Sequence, residues 1–167
     1  MKPATIAQIK KELQHKSDQE LIDYCLRLSK FKKENKELLS YLLFQSDDEQ
    51  AYIDAIQEDI DEKLESINTS NYYYVKKSLR RILRDTKKFI RYSSKKETEV
   101  ELLLHFCYRL SEFKPSVFKN KTLENMYVRQ INVIESKIDA LHEDLQYDYN
   151  LELEQLTKAW KHANHLS

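Results

Sequence analysis

Glycine is absent from this 167-residue chain. Every device that needs a positive φ or a close backbone approach is therefore missing: the P-loop, the dinucleotide fingerprint, the nucleophile elbow and the type I′ hairpin. Proline is scarce as well, occurring only at Pro3 and Pro115. A sheet-rich domain is hard to build without glycine turns. A helical one is not, provided Asn, Lys and Ser take over the helix ends. Two cysteines, Cys25 and Cys107, are too few for a disulfide framework. No apolar run approaches the ~18–20 residues of a membrane helix. The first residues, Met1 to Ile6, lack the apolar stretch of a secretory signal, so the expected location is the cytoplasm, with no membrane partner.

Net charge is also missing, with 28 basic and 28 acidic residues. That balance argues against a chain coated in one sign for wholesale polyanion binding. It does not exclude a local patch, because charges can be segregated along the sequence. With 41% hydrophobic residues the chain has enough apolar material for a core, and 1–167 reads as a single helical domain.

What is present is helical periodicity. Apolar residues recur at three- and four-residue spacing in seven or eight segments. Ile6, Ile9 and Leu13 mark the first. Leu21, Cys25, Leu28 and Phe31 mark the second, and Leu38, Leu39, Leu42 and Leu43 the third. Tyr52, Ile53, Ile56, Ile60 and Leu64 form a fourth. Val75, Leu79, Ile82, Phe89 and Ile90 form a fifth, which the Tyr72-Tyr73-Tyr74 run opens. Leu103, Phe106, Cys107, Leu110 and Phe113 form a sixth, stopped by Pro115. A seventh runs from about Thr122 to Leu145. After a polar break near Asp148 and Asn150, a C-terminal helix spans about 149–165. Capping boxes, Ser or Thr with Glu or Gln three residues later, predict starts at Thr5, Ser17, Ser46 and Thr98, with Ser94 competing for the last. No segment alternates with period two long enough for a strand. The expected fold is all-α: a bundle or short αα superhelix of seven to eight helices.

One stretch repeats. Tyr24-Cys25-Leu26-Arg27-Leu28-Ser29-Lys30-Phe31-Lys32 and Phe106-Cys107-Tyr108-Arg109-Leu110-Ser111-Glu112-Phe113-Lys114 are identical at six of nine positions. This suggests a duplicated unit with halves at about 5–67 and 71–147. Both cysteines fall on apolar stripes, where a thiol packs as a small hydrophobe.

No constellation predicts catalysis, a cofactor or a metal. His162 and His165 are spaced i, i+3, but the chain has no Glu-x-x-His pair, and the five histidines read as surface residues. Charge segregation is the one informative pattern. Between Ser46 and Ser66 there are nine acids and a single base, Lys63. Between Lys76 and Lys96 there are ten bases and a single acid, Asp85. At 100° per residue the helix around 72–93 buries one face and carries Lys77, Arg80, Arg81, Arg84, Lys87, Lys88 and Arg91 around the other. Three outcomes are consistent with this ridge. It is neutralised by the adjacent acidic helix, it follows a nucleic-acid backbone with nearby tyrosines to stack on bases, or it docks an acidic partner. The functional expectation is a non-enzymatic protein-interaction or scaffold module without a cofactor. The alternative is a nucleic-acid-binding protein using this basic face.

Overall fold

The computed structural model describes residues 1–165, the last of them in backbone only. Among them are eight α-helices and no strand, so the fold is all-α. The helices are α1 (Ile6–Leu13), α2 (Asp18–Phe31), α3 (Lys33–Phe44), α4 (Glu49–Glu65), α5 (Tyr72–Ser93), α6 (Lys96–Glu112), α7 (Lys121–Ile138) and α8 (Glu143–His165). A 3-10 turn at Val117–Lys119 follows α6. No described helix is long and apolar enough to cross a membrane. Where the sequence alone reads as one domain, the backbone separates into two compact units, Met1–Ser46 and Asp47–Ser167.

The first unit holds α1 to α3. Capping boxes form at Thr5–Gln8 and Ser17–Glu20 as the sequence predicts, each side chain bonding the other's backbone N–H. α2 and α3 pack as a hairpin, and the Asn35 amide ties it by donating to the Leu28 carbonyl at 2.8 Å. Tyr41 is the only buried hydrophobic residue of this unit. Cys25, expected on a packed stripe, is exposed instead. Its stripe faces the seam between two helices, and a hairpin covers that seam on one side only.

The second unit is built around α6, which packs against α4, α5, α7 and α8. Val100, Leu102, Leu103, Leu104, Phe106, Cys107 and Leu110 spread over an arc of roughly 200° around its axis, and all are buried. A buried face that wide needs several neighbours to cover it, which makes α6 the central helix. Burial pushes the Cys107 thiol far up, so it stays protonated at neutral pH. The two copies of the repeated motif thus share sequence without sharing surroundings.

Two predicted helix starts are overturned, for a common reason. α4 is capped by Asp48, which accepts from the Ala51 N–H at 3.0 Å, and not by Ser46. α6 begins at Lys96 without any side-chain cap, so neither Thr98 nor Ser94 is its N-cap. Glu49 and Thr98, the residues that suggested those boxes, meet each other. Thr98 Oγ1 and Ser93 Oγ both donate to Glu49 Oε1, and Lys95 Nζ lies 2.9 Å from Glu49 Oε2. A tertiary clamp therefore consumes residues that local sequence assigns to capping. Ser94 ends α5 in the left-handed region, φ 58°, a position where glycine is usual.

The last helix boundary also moves. α7 stops at Ile138 and α8 starts at Glu143, so Asp148 and Asn150 lie inside α8. Gln146 Nε2 donates to the Leu141 carbonyl at 2.9 Å, and the Asp144 N–H donates to His142 Nδ1 at 3.3 Å. These bonds stabilise a turn that carries no break signature. Further along, Glu124 locks α8 to α7. Its carboxylate accepts from Trp160 Nε1 at 2.8 Å, Asn164 Nδ2 at 3.0 Å and Lys121 Nζ at 2.9 Å. The Trp160 and Lys121 hydrogen bonds hold the carboxyl below the usual glutamate range.

Two outcomes follow from this packing. Native protein treated with a thiol reagent should titrate one cysteine, Cys25, and Cys107 should react only after unfolding; prompt labelling of both would contradict the buried sulfur. Trp160 is the sole tryptophan and reports directly on the α7–α8 lock. Because the Glu124 pKa is depressed, its stabilisation is full above the unfolded glutamate value and is lost as pH falls through the folded one. Glu124→Gln should lower stability by about 1.5–3 kcal/mol at pH 7. Its melting curve, followed by Trp160 fluorescence, should converge on the wild type's in acid. A deficit unchanged down to pH 3 would show that the charge is not what holds α8.

Candidate polyanion-binding groove

The acidic and basic helices pack against each other, and their minority charges meet. Lys63, the lone base of α4, reaches Asp85, the lone acid of α5, at 3.8 Å. The other α4 contacts turn elsewhere. Asp59 pairs with Lys63 on its own helix, and Asp61 takes His105 Nε2 at 2.8 Å and Arg109 Nη1 at 3.3 Å from α6. Glu49 is held by the α5–α6 connection. Among the described residues no salt bridge engages Lys77, Arg80, Arg81, Arg84, Lys87 or Arg91.

α5 and α7 both pack on α6 and leave a groove between them. It has a volume of about 610 Å³. Arg80, Arg84, Lys87 and Arg91 line its α5 wall, and Arg129 stands on α7 with Thr122, Asn125 and Met126. Leu83 and Gln130 complete it, and no acidic residue lines it. The spacing of the four α5 residues, four, three and four, keeps them within a narrow arc of one helix face. At 1.5 Å per residue the row is roughly 16 Å long. Tyr73, seven residues before Arg80, continues the same arc and is exposed.

Four of the seven residues expected to form the site therefore come together. Lys77 and Arg81 are exposed but stand outside the groove. Lys88 is half-buried, with Nζ 4.9 Å from the centre of the Phe89 ring. Tyr72 is not available for stacking, because its hydroxyl donates to the Ser116 carbonyl at 2.8 Å and it is half-buried. Tyr92 packs edge-on against Phe89, and Tyr73 and Tyr74 remain exposed. Sequence reasoning missed Arg129, since α7 has no run of bases. The one signal was Gln130, a polar residue three positions from Tyr127 on a helix whose other inward positions are Leu123, Glu124, Tyr127, Ile131, Ile134 and Ile138.

Gln130 is 4% exposed, and its Oε1 has no hydrogen-bond partner within the protein. Its Nε2 donates back to the Met126 carbonyl at 3.4 Å. An unpaired buried acceptor is destabilising by about 1–3 kcal/mol.

A second cleft, of about 500 Å³, lies between α4, α6 and α8 and contains Glu101, His105, Tyr149 and Glu152. Its polar groups largely engage one another. Tyr149 lies 2.7 Å from Glu101 and 3.1 Å from Glu97 as hydroxyl donor, and burial first, then these two carboxylates, pushes its phenol upward. Burial and the Glu101 charge raise Glu152 above the usual carboxylate range. Among the described residues no group of His, Cys, Asp and Glu is arranged to hold a metal ion.

The chain matches no family model, no curated protein and no solved structure with which it was compared. What the molecule offers is a class: an all-α unit bearing a cationic groove. Replacing Gln130 with Leu should leave the fold intact and raise stability by up to about 2 kcal/mol, because an unsatisfied acceptor is exchanged for apolar packing. A thermal midpoint lowered by this change would mean that the amide has a partner after all.

Proposed function

We propose that this chain is a non-enzymatic interaction module that binds a single-stranded nucleic acid along the α5–α7 groove. The supporting observation is the row Arg80, Arg84, Lys87 and Arg91, with Arg129 opposite and no acidic residue between them. Like charges at i, i+4 on a helix are destabilising by about 0.2–0.5 kcal/mol per pair. The row contains two such pairs, Arg80 with Arg84 and Lys87 with Arg91. The acidic helix beside it, α4, carries seven carboxylates, yet none forms a salt bridge with these four. A repulsive cluster that the fold leaves uncompensated fits an anion supplied from outside.

The shape favours a single strand. A concave channel between two helices follows one backbone, whereas a duplex is usually met by a helix projecting into its major groove. The phosphates of the strand would lie along the α5 wall, with Tyr73 on the same arc to stack on a base. The binding is predominantly electrostatic and sequence-tolerant in this reading, since phosphate contacts position a ligand but carry no sequence information.

With about four phosphates engaged, the log of affinity for a labelled 20-residue oligo-dT should fall against log salt with a slope near −2.8, at roughly −0.7 per contact. Arg80→Glu with Arg84→Glu and Arg91→Glu should reduce affinity by more than about tenfold at moderate salt. The thermal midpoint should not fall, since self-repulsion is not increased. Reversal of Lys77 and Arg81, which lie outside the groove, should cost severalfold less. Retention of full affinity by the triple variant, a flat salt dependence, or a preference for a hairpin duplex would each overturn this reading.

A further inference from the structure

The α5–α7 groove has two unlike walls. α5 supplies four of its five cations, whereas α7 contributes, besides Arg129, the neutral side chains Thr122, Asn125, Met126 and Gln130. At roughly 100° per residue, Gln130 falls about 40° from Met126 toward the core-facing positions Leu123 and Tyr127. It therefore stands where the groove meets the core, and it is buried accordingly. Leu83, also buried, holds the matching place on α5. The floor of the groove is thus a strip of apolar surface, Leu83 and Met126, with one amide set into it.

That amide is incompletely bonded. Its Oε1 accepts nothing from the protein, and the Nε2 bond to the Met126 carbonyl, at 3.4 Å, is longer than usual for N–H···O. The amide loses little by turning toward the groove. Phosphate oxygens are acceptors and cannot satisfy Oε1. A strand whose phosphates lie on the α5 wall must bring a donor of its own to this point. The apolar strip beside the acceptor fits the flat face of a base, and the bases carry N–H donors at their edges. An exocyclic amine projects from the ring and can reach an acceptor recessed in the floor. The uracil N–H lies between two carbonyl oxygens and reaches less far. Resting on the reading of the groove as a single-strand site, we infer that Gln130 Oε1 accepts a hydrogen bond from the exocyclic amine of a base seated on Leu83 and Met126. The groove then prefers cytosine and adenine over uracil and thymine, a modest preference laid over a phosphate contact that reads no sequence.

Oligo-dC and oligo-dU of about 20 residues share a backbone and differ at one exocyclic group, amine against carbonyl. The wild-type chain should bind oligo-dC about three- to tenfold more tightly at a given salt concentration, the scale of one hydrogen bond. Because that bond is made to an uncharged group, both oligomers should show the same salt slope of roughly −2.8. Gln130→Leu, and the closer isostere Gln130→Met, should bring oligo-dC down to the oligo-dU affinity. Neither variant should weaken oligo-dU binding or lower the Trp160 unfolding midpoint. Equal wild-type affinities for the two oligomers, both lost on changing Arg80, Arg84 and Arg91 to Glu, would overturn the amine contact and leave the groove reading standing. A preference for oligo-dC that survives both Gln130 variants would do the same. Tighter binding of oligo-rU than of oligo-dU, without any gain for oligo-dC, would give the acceptor to a ribose hydroxyl and overturn the base contact. Failure of every oligomer to bind even at low salt would remove the groove reading, and this contact with it.

Discussion

The second unit depends on burying the broad apolar face of one helix. α6 exposes almost nothing of Leu102, Phe106, Cys107 or Leu110, and burying each large apolar side chain contributes about 1.5–3 kcal/mol. Four neighbours are needed to cover such a helix, and all four amphipathic partners turn their greasy faces inward to do it. Their outer faces are then fixed by helical geometry. α5 cannot seat Val75, Leu79 and Ile82 on α6 without carrying Arg80, Arg84, Lys87 and Arg91 along the other side. α7 cannot seat Tyr127, Ile131 and Ile134 without setting Arg129 beside the same channel.

Polar side chains then fix the ends of this arrangement. Glu49 draws together Ser93, Lys95 and Thr98 where α5 turns into α6. Glu124 does the same for α7 and α8 through Trp160 and Asn164. Tyr127 adds a buried bond to the Leu156 carbonyl at 2.8 Å and stacks edge-on against Phe118. Each clamp gives a buried or half-buried polar group its partners, which is the condition for including it at little cost. Gln130 departs from that pattern, and it does so beside the cationic groove. Strong segregation of charge between α4 and α5 is another local cost. At their contact the minority charges Lys63 and Asp85 meet at 3.8 Å.

The two units solve the burial problem differently. Asp47–Ser167 builds a closed core, while Met1–Ser46 spends its apolar residues on faces that remain open. This contrast explains how one repeated nine-residue motif has two fates. The Cys107 copy lies at the centre of five helices. The Cys25 copy lies on a hairpin, where no third or fourth helix of its own unit covers the seam. A stripe of apolar residues states that a face will be covered, and it does not state by what.

Helix content, the two N-terminal capping boxes and the positions of most core residues were legible in the sequence, because i, i+3, i+4 periodicity and reciprocal caps are properties of neighbouring residues. So was the basic face of α5, since eight bases around one acid need no tertiary information to detect. The starts of α4 and α6 and the turn into α8 were not legible. There, Glu49, Thr98 and Gln146 are bonded in ways that local spacing does not reveal. Nor was the choice of Arg129 and Gln130 as the far side of the groove, which depends on how α5 and α7 straddle α6. Local sequence determined what each helix is and which face it wants buried. Only the packing of those faces decided which charges were left together in the open, because burial is shared among distant segments while amphipathicity belongs to each one alone.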